Sequence, residues 1–284
     1  MSTTVTRATV LNENCDLHYW YRGSGPLLIF VPGGNGQGRQ YDAIMKLFCS
    51  QYTVATFDRR QMSASKVRGP NKPFNPAEQA RDIIIIMGAI GFETTSLFAS
   101  SGGGIIAFQM AVTYPETLDH LVCHEAPTTA LLDAKESTEM IDDFATLREI
   151  YLESGIKPAM EYFQKKVMVG MDIGPPTVPP GPENPINQFD NELMLMTFYC
   201  PDLVKIVQNH TSVAVGYGAL SEGAMYRRTV FEQAKRLGCE AVEFPGHHQW
   251  FETVPEEFAP PLLALLVRME DRRRLRREGC SRYQ

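Results

Sequence analysis

A membrane-spanning helix needs roughly 20 apolar residues in succession. The best stretch in this chain, Ile83 to Ile90, falls well short of that. Positive charge is also scarce: 27 basic against 33 acidic side chains leave a net charge of −6. That balance argues against nucleic acid or an anionic membrane surface as a partner. The six cysteines, at 15, 49, 123, 200, 239 and 280, form no C-x-x-C pair and have no histidines at zinc spacing. They read as reduced thiols. The opening Met-Ser-Thr-Thr-Val-Thr-Arg lacks the apolar stretch of a secretory signal, so the expectation is a cytoplasmic protein. No repeat of fixed period is visible, and nothing fixes the oligomeric state; a homodimer stays open. What the chain does have is length, 284 residues, and 44% hydrophobic side chains, enough for a sizeable core without staples.

Apolar runs bounded by turn residues have the look of strands buried on both faces. Leu27 to Val31 ends at Pro32-Gly33-Gly34, and Tyr52 to Phe57 ends at Asp58-Arg59-Arg60. Thr95 to Ala99 runs into a glycine-rich turn, and Leu118 to Cys123 follows. Helical spacing lies between them: Tyr41 to Phe48, Asn75 to Gly91 with an N-cap, a proline at the first position and a C′ glycine, and a helix through Ile105, Phe108 and Met110. The alternation predicts a mostly parallel sheet covered by helices on both faces, an α/β class.

Residues 128–210 break the pattern. They carry 13 acidic and 6 basic side chains, six of the 13 methionines, and six prolines between 175 and 185. Helices are expected over Ser137 to Tyr151 and Lys157 to Val169. The alternation resumes at Ser212 to Tyr217, so the domain reading is a core of 1–127 and 211–284 with 128–210 as an inserted helical cap. The closing run Arg272 to Arg277 reads as a solvated helix and frayed tail.

The sharpest local pattern is Phe98-Ala99-Ser100-Ser101-Gly102-Gly103-Gly104, between strand and helix. It resembles the G-x-S-x-G nucleophile elbow of the α/β-hydrolase superfamily. So tight a turn demands small residues two before and two after the nucleophile. Ser101 meets that with Ala99 and Gly103, whereas Ser100 would place Phe98 there. The resemblance implies an oxyanion hole from the N–H groups of Gly34 and Gly102. Gly34-Asn35-Gly36-Gln37-Gly38, with Asp58 beyond, also faintly suggests a dinucleotide fingerprint, but Arg39 breaks its spacing.

The base should follow the last strand, in Pro245-Gly246-His247-His248; the superfamily's G-x-H pattern selects His248 and leaves His247 beside the site or solvated. For the acid, the superfamily's usual position after the cap holds Ser221, with Glu222 next to it. The alternative is Glu125, in Cys123-His124-Glu125-Ala126-Pro127-Thr128. That stretch resembles zearalenone-lactonase-like fungal hydrolases and bacterial α/β-hydrolases with a His-Glu-x-Pro motif, in which the glutamate is the triad acid. The resemblance also takes in Gly23 to Pro26, Asp58-Arg59-Arg60 and Pro201-Asp202-Leu203, although Gln61-Met62 replaces the glycine usual after Asp-Arg-Arg. It favours Glu125 over Glu222. His124 is expected to be a packed structural residue and Cys123 a buried apolar one.

The resemblance implies a capped α/β-hydrolase fold and a serine hydrolase of neutral, apolar esters or lactones, with Ser101, His248 and Glu125 as the triad and no cofactor or metal. A serine at 101 sets the chain apart from branches that use an aspartate nucleophile, the haloalkane dehalogenases and epoxide hydrolases. An acyl transferase, a carbon–carbon bond hydrolase and a non-catalytic small-molecule binding protein remain alternatives on this fold. The methionines of 128–210, with Phe144, Tyr151, Tyr162, Phe163, Phe189, Phe198 and Tyr199, are expected either to line an apolar pocket or to pack the cap on itself.

Overall fold

The computed structural model describes residues 4–168 and 179–281. Its sheet begins with a hairpin that the apolar pattern hides. β1 (Thr6–Asn12) pairs antiparallel with β2 (Cys15–Gly23) across Glu13 and Asn14, both at positive φ. Two successive left-handed residues fit a type I′ turn, but without the Asn-Gly that usually announces one.

The remaining strands are β3 (Leu27–Val31), β4 (Thr53–Phe57), the short β5 (Lys66–Val67), β6 (Thr95–Ser100), β7 (Leu118–His124), β8 (Val213–Gly218) and β9 (Ala241–Phe244). They lie in the order β1-β2-β4-β3-β6-β7-β8-β9, with β5 added to β2. β2 runs antiparallel to β4, and every pairing from β4 to β9 is parallel. β3, β4 and β6 are buried along their whole length, as their unbroken apolar sequence requires.

Helices cover both faces. On one side pack α2 (Pro76–Ile90) and α3 (Gly102–Thr113), burying Ile83, Ile86, Ile106 and Met110 with Leu97 and Leu121 of the sheet. Asn75 caps α2 through the N–H groups of Ala77 and Glu78, and Gly91 ends it at φ 102°. On the other side α1 (Asp42–Phe48) meets the far end of the chain, α10 (Trp250–Thr253) and α11 (Pro255–Ser281), over Phe30, Phe98 and Phe244. The basic run belongs to α11, where Arg273 pairs with Asp119 and Glu270.

Between β7 and β8 the chain leaves the sheet for α4 (Ala134–Ser154), α5 (Ile156–Tyr162), α6 (Glu183–Asn187), α7 (Leu193–Thr197) and α8 (Leu203–Gln208). Wider π-helical turns, Phe163–Val167 and Gln188–Glu192, extend α5 and join α6 to α7. The start of the proline-rich loop and residue 169 lie outside the described residues. α9 (Met225–Leu237), which the sequence pattern does not single out, follows β8 and carries the insertion: Ala224, Met225 and Tyr226 share a core with Met140, Phe144, Phe189 and Leu193.

Candidate active site

β6 delivers Ser101 to the first position before α3, with φ 55° and ψ −129°. A non-glycine residue held there stores strain of about 1–3 kcal/mol, which persists only where the surroundings enforce it. The enforcement is steric. A Cβ at Gly103 would stand 2.4 Å from the carbonyl oxygen of Val31, and one at Gly33 would stand 2.9 Å from the Ser101 Cβ. Ser100 is buried in the strand while Ser101 is half-buried at the turn. The Ser101 N–H donates to the carbonyl of His124 at 2.8 Å.

His124 ends β7, paired in register with Ser100, and Glu125 then turns the chain at φ 50°. The Glu125 N–H donates to the Gly216 carbonyl at 2.9 Å, and its Oε1 accepts from the Gly218 N–H at 2.8 Å. Its Oε2 lies 2.7 Å from His248 Nδ1, with both side chains buried. Burial works against the charge on Glu125, yet the imidazoles of His124 and His248 and the Gly218 N–H outweigh it and hold the carboxyl below its usual value. With Nδ1 facing a carboxylate, His248 carries its proton there and leaves Nε2 able to accept one. Tyr226 lies over the imidazole at 4.5 Å between ring centroids, its hydroxyl pushed well up by burial and by the Glu125 charge.

The alternatives for these roles lie elsewhere. Glu222 is exposed. His247 packs edge-on against Trp250 at 5.1 Å and accepts from the Gln249 N–H. Gly246 gives this loop its sharp turn at φ 75°, where a Cβ would collide with the Trp250 ring. Asp58 is consumed by the backbone, accepting from the N–H groups of Gly38 in the turn after β3 and Ala64 in its own loop, so the dinucleotide reading loses its ribose ligand. His124 sits among Phe98, Phe244, Phe251 and Phe258, as a packed residue should. Neither of its ring nitrogens has a hydrogen-bond partner among the described residues.

Gly34 follows β3, and Gly102 opens α3. The insertion overlies both: a Cβ at Gly34 would meet Gln188 Nε2 at 2.6 Å, and one at Gly102 would meet Met196 Sδ at 2.0 Å. Sequence reasoning did not single out Gln188, and it left Met196 among the insertion's methionines without placing it over Gly102; nothing local in the sequence marks either contact. Most of the insertion's aromatic residues turn the other way. Phe144, Phe189, Phe163, Tyr151, Tyr162 and Phe198 build its own core with Met140, Met160 and Met194, so self-packing is the outcome for them.

His124, Glu125 and His248 place ring nitrogens and a carboxylate oxygen within 4.8 Å of one another. A metal ion there would have to take Nδ1 from the Glu125 hydrogen bond. Among the described residues no helix is long and apolar enough to cross a membrane.

Comparison with known proteins agrees with this fold. The family described as alpha/beta hydrolase fold matches residues 26–168. The uncharacterized hydrolase YraK of Bacillus subtilis (strain 168) is 24% identical over 271 residues, 93% of this chain and 97% of that protein. A zearalenone hydrolase of Bionectria ochroleuca is 28% identical over 142 residues, 49% of this chain and 53% of that one, a narrower reach than the motifs imply. Among solved structures, an alpha/beta hydrolase from Sphaerobacter thermophilus DSM 20745 superposes with a TM-score of 0.69 at 19% identity, covering 90% of this chain and 99% of its own. With the strand order, the strained Ser101 turn and the buried Glu125–His248 pair in place, the chain belongs to the α/β-hydrolase fold family.

Proposed function

We propose that the protein is a serine hydrolase that cleaves a neutral, apolar carboxylic ester or lactone through an acyl-enzyme. One observation carries the reading: the strained Ser101 hangs by its N–H from His124, and the next residue, Glu125, holds His248 Nδ1 at 2.7 Å. Ser101 Oγ attacks the substrate carbonyl while His248 Nε2 takes its proton. The Gly34 and Gly102 N–H groups receive the charge that gathers on the carbonyl oxygen. The tetrahedral intermediate collapses, the carbon–oxygen bond of the ester breaks, and the leaving alkoxide takes the proton from His248. Water then repeats the sequence on the acyl-enzyme, giving the acid and restoring Ser101. Glu125 fixes the imidazole tautomer and stabilises its charged form between these steps.

The insertion, taken as a cap over 128–210, supplies the apolar roof, and a relative named for zearalenone hydrolysis supports a ring ester as well as an open one. The test is a fluorophosphonate probe combined with p-nitrophenyl butyrate turnover. Labelling at Ser101 with burst kinetics is the expected result. Ester cleavage that survives Ser101→Ala would sink the reading.

A further inference from the structure

One buried ion pair joins the insertion to the turn that holds Gly34, and the proposed chemistry gives it no role. Arg59 follows β4 and is fully buried, as is Glu192 at the end of the π-helical turn Gln188–Glu192. Arg59 Nη2 and Nη1 donate to Glu192 Oε2 and Oε1 at 2.6 and 3.1 Å, a two-pronged pairing that only a guanidinium provides. The rest of the fork is aimed at the turn. Nε donates to the carbonyl of Gly33 at 2.9 Å, Nη2 reaches that of Gly34 at 3.4 Å, and Nη1 also reaches Gln79 Oε1 at 2.9 Å.

The Gly33 carbonyl and the Gly34 N–H belong to one planar trans peptide, so they point in opposite directions. Holding the carbonyl on Arg59 therefore sets where the Gly34 N–H aims. Between two glycines, rotation of that peptide meets little steric resistance, so hydrogen bonds choose its orientation: the Gly36 N–H donates to the Gly33 carbonyl at 3.0 Å within the turn, and Arg59 Nε adds a charged anchor from outside it. We infer that Arg59 is a positioning residue that locks the Gly33–Gly34 peptide with its N–H toward Ser101, and that Glu192 makes the lock depend on the insertion being seated. Gln188 and Met196 lie one helical turn to either side of Glu192, above Gly34 and Gly102 respectively. A single stripe of the insertion thus registers on both oxyanion donors while its central carboxylate engages the anchor. Asn184 fastens the same segment further, donating to the Asn35 carbonyl at 2.7 Å and accepting from the Ser63 N–H at 2.7 Å. In an unseated insertion Arg59 loses its carboxylate partner, the Gly33 carbonyl is left with its Gly36 bond alone, and the first donor is held less firmly.

The inference rests on the serine-hydrolase reading, and its test separates the two. The substrate is p-nitrophenyl acetate, too small to need an apolar roof. Glu192→Ala should lower kcat on acetate by about 10- to 100-fold, toward the loss seen when one oxyanion donor is removed, with KM within about threefold. Glu192→Gln, which keeps one acceptor, should recover part of it. Phe144→Ala loosens the insertion's own core without touching Arg59, so it should raise KM for the octanoate ester and leave kcat on acetate within about threefold of the unsubstituted enzyme. Wild-type kcat on acetate in Glu192→Ala overturns the inference, whereas failure of the unsubstituted protein to label at Ser101 overturns the hydrolase reading instead. Hydrogen exchange on the unsubstituted protein needs neither activity nor a folded variant. Peptides spanning 33–38 and 183–198 should open together, with matched protection across denaturant, and independent opening overturns the lock.

Discussion

Ser101 and Glu125 are fixed by one strand end: the Ser101 N–H hangs on the carbonyl of His124, and the residue after His124 carries the carboxylate that holds His248. The glutamate has both oxygens engaged, one by Gly218 and one by the imidazole. Glu125→Gln would turn an amide, with a single acceptor, toward these two donors and drive His248 into the wrong tautomer. A fall in kcat of about 10³- to 10⁴-fold is expected, as for loss of the orienting carboxylate in Ser-His-Asp enzymes. Glu222→Gln, out in solvent, should stay within about tenfold. Steady-state kinetics of the two variants ranks them, and the reverse order would move the acid beyond β8.

The nucleophile's register is testable without a physiological substrate. Ser101→Ala should abolish fluorophosphonate labelling and ester turnover. Ser100→Ala, buried in β6, should keep both within about tenfold. Peptide mapping of the labelled protein identifies the serine. Labelling that depends on Ser100 would mean that the turn presents the other residue.

The core was legible because its signals are local. Unbroken apolar runs mark β3, β4 and β6, and Asn75 and Gly91 frame α2. The turn at Ser101 is equally local: small residues are required at fixed offsets, and Ala99 and Gly103 supply them. The acid could not be located by spacing alone, since Glu125 and Glu222 are both near strand ends; the resemblance ranked them, and Glu125 is the one that lies 2.7 Å from His248 Nδ1. The N-terminal hairpin was hidden because Glu13-Asn14 is not a customary turn pair and one face of β1 is exposed. The roof over Gly34 and Gly102 was hidden for a different reason. Gln188 and Met196 matter through contacts more than 80 positions away in the chain, and no local pattern reports such a distance.

Two glycine substitutions separate fold from site. A Cβ at Gly103 would press on the Val31 backbone, which cannot retreat, whereas one at Gly34 meets the far end of the Gln188 side chain, which can. Gly103→Ala should cost about 2 kcal/mol or more, lowering Tm by roughly 4 °C or more. Gly34→Ala should shift Tm by less than about 2 °C. Thermal denaturation followed by circular dichroism distinguishes them. Equal losses would show that Gln188 is as rigid as the backbone.

His124 gives a pH signature in stability. Burial, only partly offset by the Glu125 charge, lowers its pKa to about 4, so it stays neutral in the fold at pH 7. An unfolded histidine titrates near 6.5, so between about 4 and 6.5 the unfolded chain binds the extra proton. The contribution of His124 to stability is therefore complete above pH 6.5 and drains away as pH falls toward 4, amounting to about 3 kcal/mol. Asp82, raised to about 6 by burial against the pull of Arg60, pushes the opposite way over much of this range, so the comparison has to be with a variant. His124→Phe suits the aromatic surroundings and cannot titrate. The Tm gap between variant and unsubstituted protein should move in favour of the variant from pH 7.5 to pH 5. A gap that does not change with pH would mean that His124 is solvated or already paired.

The last prediction concerns which esters the proposed enzyme prefers. Residues 128–210 carry a net −7, more than the whole chain's −6, and two of them, Gln188 and Met196, lie over Gly34 and Gly102 beside the Ser101 turn. An anionic substrate approaches against that field, while a neutral one feels it little. Met196 above Gly102 is deformable and apolar, suited to an alkyl chain of irregular shape, whereas the Gln188 amide offers one polar contact near Gly34. Each fully buried methylene is worth about 0.8 kcal/mol, or roughly fourfold in binding. From p-nitrophenyl acetate to butyrate, kcat/KM should rise by up to about 15-fold, then flatten or fall where the roof runs out of room. An ester bearing a free carboxylate should fall below its neutral isostere, and salt near 0.5 M should narrow that gap by screening the field while leaving the neutral series unchanged. A strong preference for acetate, or a carboxylate ester that outruns its neutral isostere at low salt, would show that the insertion shapes neither the size nor the charge of what Ser101 accepts.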